Sequence, residues 1–266
     1  MNKLTKLRKK LVRDTLELEI PIDMKLRLLK GVFKGKEAFI FAAGPSLSSV
    51  NIEKIKPLLE DNLVICIKQS INIVSSDCDV LLMNFCNFND YNWSELKCPV
   101  IWTSFESKHS DIIKSRKLKC DELLPVIENG KNDKQGLSSS TAGKRLWSNF
   151  SRLSEGSAIW GPGLMYELAF PLALNCGVEH ITLVSWDIGA LKETNNEAFL
   201  NEHFYKNKNV EMKTKITNFE IEVVSKSTKG LKEWLNNNGV GLSIISDRSL
   251  VDMSIKREDK WLKKVI

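Results

Sequence analysis

Ala38-Phe39-Ile40-Phe41-Ala42-Ala43-Gly44-Pro45-Ser46-Leu47 is an apolar run that ends on glycine, proline and a small hydroxyl residue. The run suits one buried strand, and its ending breaks the extended path and opens a helix. In α/β nucleotide folds a turn of this kind presents backbone N–H groups to a phosphate. The turn lacks the spaced glycines of a dinucleotide fingerprint and the Gly-Lys-Ser/Thr ending of a P-loop, so the common NAD, ATPase and GTPase readings lose their main support. A strand-to-helix turn without a ligand is the plain alternative.

Working outward, Asn51 to Glu60 reads as a helix, and Leu63 to Ile67, Asp79 to Met83 and Val100 to Thr103 read as further buried strands. Residues 129–143 form a polar, Gly- and Ser-rich loop, and Lys144 to Leu153 can be helical. Gly161-Pro162-Gly163 then opens a long apolar helix, Leu164 to Asn175, which Pro171 should kink and Gly177 should end. Ile181 to Ser185 is another strand, Thr228 to Asn237 an amphipathic helix, and Leu242 to Ile245 a last strand. Strands separated by helix-length segments predict a Rossmann-like open parallel sheet with helices on both faces. A basic N-terminal extension (1–36), a Rossmann-like main domain (37–251) containing a polar lid segment at about 189–217, and a basic C-terminal tail (252–266) complete the division.

The net charge of +6 is unevenly placed, because residues 1–36 hold eleven Lys/Arg against four Asp/Glu and the rest of the chain holds 28 against 29. Within that segment Leu4, Leu7, Leu11 and Val12 recur at helical spacing between basic residues. A basic amphipathic helix over residues 1–30 suits an anionic membrane surface; a helix packed on the domain with a solvated charged face is the alternative. The body is not basic and shows no aromatic–basic interleaving, so no nucleic-acid partner is expected. No apolar run approaches the roughly 20 residues of a spanning helix, and charges occupy the place of a signal peptide's apolar segment. The expected location is the cytoplasm, with the inner-membrane surface as a peripheral site. The six cysteines stand singly, without a CxxC pair, and read as reduced core residues.

Ligands of an open parallel sheet collect at the carboxyl ends of its strands. This rule selects Gly44, Pro45 and Ser46 after the first strand, Lys68 and Gln69 after the second, and Asn84 after the third. It also selects Ser104 after the fourth, Asp187 after the run Ile181 to Trp186, whose last residue Trp186 is a further candidate, and Asp247, Arg248 and Ser249 after the last. Together they make a rim of amides, hydroxyls and a few charges that suits a sugar nucleotide. Asp77-Cys78-Asp79 matches a metal-binding D-x-D by spacing, but it precedes its strand and sits at the wrong edge, so no metal is expected.

Phe39 to Leu47, Ile67-Lys68-Gln69, Leu81 to Asn84, Gly163-x-x-Tyr166 and the run from Gly177-Val178 through Ser185-x-Asp187 resemble bacterial sialyltransferases of glycosyltransferase family 42. Ser225-Lys226-Ser227-Thr228 and Ser246-Asp247-Arg248-Ser249-Leu250 continue the likeness, which extends to CMP-Kdo transferases and motility accessory factors and covers about residues 37–251. The resemblance implies a CMP-activated 2-keto-sugar acid as donor, a glycan or glycolipid acceptor, and neither metal nor cofactor. It places Gly44, Pro45 and Ser46 along the phosphate and ribose, Asn84 on the CMP or sugar, and the Gly161–Gly163 helix start near cytosine or the donor carboxylate. Asp187 falls in the cytidine pocket or acts as a nucleophile, and Tyr205, Lys206 or Arg248 meets the phosphate. Two positions depart from the pattern: Ala42 replaces the first glycine of the turn, and Val224 stands where the family has its catalytic His. His203, in the lid segment, is the replacement base. A pterin pyrophosphokinase-like enzyme and an inactive transferase-fold scaffold are the rival readings, and a second copy of the chain is left open as a partner.

Overall fold

The computed structural model describes residues 3–84, 96–103, 120–122, 164–187 and 218–263. The expected open parallel sheet is present. β1 (Glu37–Phe41), β2 (Leu63–Ile67), β3 (Val80–Asn84), β4 (Val100–Thr103), β5 (Cys120–Glu122), β6 (His180–Val184), β7 (Gly241–Ile245) and β8 (Lys256–Arg257) lie in the order β5-β4-β3-β2-β1-β6-β7-β8. Every neighbouring pair is parallel. The chain lays strands from β1 outward to β5, then returns to the other side of β1 to begin β6. The switch point of the sheet therefore falls between β1 and β6, the place beyond the carboxyl ends of the strands where open α/β sheets commonly bind ligands.

The alternation of β1 builds both faces, since successive side chains of a strand point to opposite sides. Ala38 and Ile40 join a core with α1 (Lys3–Glu17), α2 (Ile22–Leu28), α5 (Phe170–Asn175) and α6 (Asn218–Asn237), through Val12, Leu26, Phe170 and Leu231. Phe39 and Phe41 join the opposite core with α3 (Ile52–Asp61) and α4 (Ile71–Val74), through Ile55, Leu59, Ile71 and Val74. β2 is buried at all five positions, as a strand covered on both faces must be.

Four differences from the sequence reading have clear causes. Where the sequence reads as a continuous α-helix, the turn before Pro171 widens to a π-helix over Met165–Ala169, and the Phe170 N–H donates to the Met165 carbonyl. The wider turn accommodates a residue with no N–H and a bulky ring. β5 was hidden because Cys120-Asp121-Glu122 carries no apolar run, and β8 because Lys256-Arg257 reads as solvent. α6 begins ten residues before the predicted Thr228. Residues 252–263 are part of the sheet's support rather than a free tail. Ile255 is fully buried, the Asn51 N–H donates to the Trp261 carbonyl (2.8 Å), and the Lys263 N–H donates to the Ser49 carbonyl (2.7 Å).

The N-terminal segment is likewise built into the domain. Of the apolar row read from the sequence, only Val12 is buried; Leu4, Leu7 and Leu11 face outward. Val12, Leu16, Leu26, Leu29 and Phe33 are all within the core, and at about 2 kcal/mol per buried large side chain they contribute on the order of 10 kcal/mol as an upper bound. α1 is also held by charge. Lys9 Nζ lies 2.6 Å from Asp79 Oδ2 and Arg13 3.4 Å from Oδ1, while the Val64 N–H donates to Oδ2 at 3.0 Å. Burial pushes the Asp79 carboxyl up, and the charges of Lys9 and Arg13 oppose that push. Asp79 is thus an internal ion-pair partner at the amino edge of the sheet. Among the described residues no helix is long and apolar enough to cross a membrane. Cys66, Cys78, Cys98 and Cys176 are buried free thiols, and burial holds Cys176 up at about 12, so it is inert as a nucleophile.

Candidate functional site

The turn after β1 and the segment after β6 meet at the switch point. Gly44 has an extended backbone that any residue adopts, so its identity is set by space: a Cβ there would lie 2.4 Å from the Ser185 carbonyl oxygen and 2.5 Å from Asp187 Oδ2. The Gly44 N–H donates to that same carbonyl at 3.2 Å. Ala42, by contrast, is a core residue whose N–H bonds the Val184 carbonyl in the continuation of the β1–β6 ladder.

Asp187 is the hub of this junction. Its Oδ2 accepts from the Ser46 N–H at 2.7 Å, and its Oδ1 lies 2.7 Å from Ser46 Oγ and accepts from Ser246 Oγ at 2.6 Å. Ser46 Oγ also lies 2.8 Å from Ser185 Oγ, which donates to the Gly44 carbonyl at 2.8 Å. Ser246 in turn accepts the N–H groups of Arg248 (3.2 Å) and Ser249 (3.0 Å), and Ser249 Oγ donates to the Trp186 carbonyl at 2.6 Å. One carboxylate therefore fastens the ends of β1, β6 and β7 together. Short bonds to an ionised acceptor are the strong kind, and Ser46, Ser185 and Ser246 are all buried.

Backbone strain marks the same place. Among the described residues, only Lys68 (φ 53°) and Ser185 (φ 58°) are non-glycine residues in the left-handed region. They directly follow β2 and β6, the two strands that flank β1. Such conformations cost of order 1–3 kcal/mol each and persist where the surroundings fix them, commonly at functional sites. Behind Lys68, Ser70 Oγ accepts from the Ile67 N–H (3.0 Å) and donates to the Phe41 carbonyl (2.9 Å), locking the β2 turn to β1.

The structure thus brings together Gly44, Pro45, Ser46, Asp187 and Ser249, with Lys68 and Gln69 one strand away and the backbone of Asn84 two strands from β1, about 10 Å along the same edge. Trp186 is different: its indole is buried, edge-on to Phe170 at 5.8 Å between ring centres, so its ring belongs to the core. Arg248 is half-buried beside Asp247 (3.2 Å). Ser104, Gly161, Pro162, Gly163, His203, Tyr205 and Lys206 lie outside the described residues, as does the lid segment 189–217. Val224 falls on α6, and four residues on Thr228 is buried, its Oγ1 accepting the Asp252 N–H at 2.9 Å. Sequence reasoning missed Ser185 and Ser246 as site residues. The signal was a serine at the end of each strand, two residues before Asp187 and one before Asp247. His180 sits at the opposite, amino edge, where its Nε2 is 2.9 Å from Ser243 Oγ. A cavity of about 880 Å³ lined by Lys34, Glu179, Trp234 and Val240 also opens at that edge, across the sheet from Asp187.

No protein-family model matches the chain, and no curated protein does. Among solved structures, the chain is similar to the sialyltransferase CstII from Campylobacter jejuni, solved with a substrate analogue, cytidine-5'-monophosphate. The two share 12% identity over 88% of this chain and 89% of that one, with a TM-score of 0.49. It is also similar to the MAf glycosyltransferase from Magnetospirillum magneticum AMB-1, at 11% identity over 96% of this chain and 38% of that longer one, with a TM-score of 0.46. The likeness is one of chain path.

Proposed function

We propose that this protein is a glycosyltransferase that moves a 2-keto-sugar acid, of the sialic acid or Kdo kind, from a CMP donor to a glycan or glycolipid acceptor without a metal. The observation that carries this reading is the junction at the β1/β6 switch point, where a glycine-limited turn, a carboxylate-bound serine cluster and a strained Lys68 share one edge. Of that edge, the Gly44–Pro45 turn and Lys68 are the half-buried parts that would meet the donor's phosphate, while Ser46, Ser185, Ser246 and the fully buried Gln69 form the support beneath them. The motif resemblance at Gly44–Leu47, Ser185-x-Asp187 and Ser246–Leu250 supports the CMP donor. Metal independence is supported by the fate of Asp79, the D-x-D carboxylate, which Lys9 and Arg13 occupy.

The geometry favours one of the two chemistries open to Asp187. Both carboxylate oxygens already accept hydrogen bonds from Ser46 and Ser246, so attack on an anomeric carbon would sacrifice the bonds that hold three strand ends. Asp187 is therefore a positioning residue, and the transfer is a direct displacement. The acceptor oxygen forms its bond to the anomeric carbon as the bond to the CMP phosphate oxygen breaks, the acceptor proton passes to a base, for which His203 is the proposed group, and CMP leaves with its charge. Lys68, with Tyr205 or Arg248, meets the phosphate where negative charge develops, and Asn84 and the Gly161–Gly163 helix start hold the remaining donor groups.

Calorimetry with CMP, CDP and ATP, each with EDTA and with magnesium, tests the reading. CMP binding that is equal in both conditions is the expected result. ATP binding that requires magnesium would replace the transferase by a pyrophosphokinase-like enzyme, and the absence of any nucleotide binding would leave a scaffold, as Val224 at the His position would allow.

A further inference from the structure

Nine large apolar side chains stand exposed among the described residues, and Leu4, Leu7, Leu11, Leu18, Met24 and Leu28 account for six of them. On α1, at roughly 100° per residue, Leu4, Leu7 and Leu11 form a single row about 140° round the helix from the inward row of Thr5, Lys9, Val12 and Leu16, and the exposed Leu18 follows just past the helix end. α1 is therefore amphipathic twice over. One face completes the core, and the second apolar stripe points away from it, with Leu7 62% exposed.

Charge identifies what that stripe meets. Residues 3–13 carry six Lys or Arg and no acidic side chain. Lys9 and Arg13 are spent on the buried Asp79, whereas Lys3 and Lys10 flank the leucine row on one side, Lys10 in a solvent-exposed pair with Asp14 (3.0 Å), and Arg8 flanks it on the other. Positive side chains at a helix N-terminus oppose its dipole, so this placement weakens the isolated helix, and an anionic surface outside it would offset that cost. α2 repeats the arrangement on a smaller scale, with Arg27 exposed between Met24 and Leu28. A second copy of the chain fits the stripe poorly, because leucine row against leucine row would bring two sets of lysines together.

We propose that the outward face of α1 seats the protein on an anionic phospholipid bilayer, the leucine row entering the headgroup boundary and Lys3, Arg8 and Lys10 facing lipid phosphates. The proposal stands apart from the transferase reading, since it uses no residue of the Asp187 junction.

The test is co-sedimentation of the full chain with phosphatidylcholine vesicles and with mixed phosphatidylcholine–phosphatidylglycerol vesicles, at low and high salt. The wild-type chain should bind the anionic vesicles at least about tenfold better than the neutral ones and lose most of that binding in high salt. Leu7→Glu/Leu11→Glu should bind at least about tenfold less with an unchanged urea midpoint, both positions being exposed. Lys3→Glu/Lys10→Glu repeats the test through charge alone. Equal binding by both double variants, or no binding of the wild type to anionic vesicles, overturns the proposal. A dimer in sedimentation velocity that Leu7→Glu/Leu11→Glu dissolves also overturns it and assigns the face to a second copy.

Discussion

Replacing Asp187 tests the hub directly, because alanine removes the acceptor of the Ser46 N–H, the Ser46 hydroxyl and the Ser246 hydroxyl at once. Hydrogen bonds to a charged group contribute roughly 1.5–3 kcal/mol each, and a buried donor left without an acceptor costs about 1–3 kcal/mol. The two hydroxyls can turn elsewhere, Ser46 Oγ to Ser185 Oγ at 2.8 Å, so the three losses do not add fully. Asp187→Ala should therefore destabilise by about 3–5 kcal/mol, or on the order of 10 °C in Tm for a chain of this size. Asp187→Asn keeps an oxygen for the Ser46 N–H and turns its amide toward hydroxyls that can accept, so it should cost only about 1 kcal/mol. Urea unfolding followed by tryptophan fluorescence reads both, with Trp186 next to the replaced residue and packed on Phe170. A positioning Asp187 leaves the asparagine variant with CMP binding and a measurable share of turnover, whereas a nucleophile leaves none. An alanine variant that unfolds within about 0.5 kcal/mol of the wild type would refute the reasoning, since that is the scatter of an unremarkable surface change.

Four further outcomes are expected. Gly44→Ala should lower stability by at least about 2 kcal/mol in the same urea assay, because its Cβ falls within 2.5 Å of backbone and carboxylate oxygens that have nowhere to go. Lys68→Gly relieves a left-handed residue and removes an ammonium group, so it should hold or raise the urea midpoint while weakening CMP binding about tenfold by calorimetry. Lys9→Met should cost about 1–3 kcal/mol, because Arg13 and the Val64 N–H still meet the buried Asp79 carboxylate, and Lys9→Met/Arg13→Met should cost more, about 3–5 kcal/mol, by leaving that charge without a cation. The fourth concerns pH. The Ser254 hydroxyl and N–H hold Asp252 below the usual carboxylate range, and Glu258 ends below it too, because Lys256 and Lys260 outweigh the upward push of burial. The folded state then binds fewer protons than the unfolded chain near pH 4, so this stability is fully present above the ordinary carboxylate pKa of about 4 and is lost as pH falls from there through the lower folded-state values. Glu258→Gln should flatten that decline in urea midpoints taken between about pH 6 and pH 3.

Much of the fold was legible in the chain. β2 and β4 have the bounds read from their apolar runs, and α3, β6 and β7 differ from theirs by one residue, because continuous Val/Ile/Leu segments between turn residues leave a doubly covered strand little alternative. The carboxyl-edge rule also placed Gly44, Ser46, Asp187 and Ser249 in one neighbourhood before any contact was known. β5 and β8 were not legible, since short polar edge strands owe their pairing to the neighbour rather than to their own side chains. Trp186 was misjudged for a related reason: its position after β6 suggested the rim, but its indole turns back onto Phe170.

The linear pattern of apolar runs and breakers determined the strand succession, the parallel class and the edge where chemistry belongs, because those depend on local period and chain connectivity. The tertiary structure decided what each charge is for. Nothing in the spacing of Lys9, Arg13 and Asp79 reveals that residues seventy positions apart neutralise one another inside the protein, nor that Asp187 spends its oxygens on serines from two other strand ends. A carboxylate's role follows from which donors lie within 3 Å of it, and that distance is set by the packing of strands the sequence does not bring together.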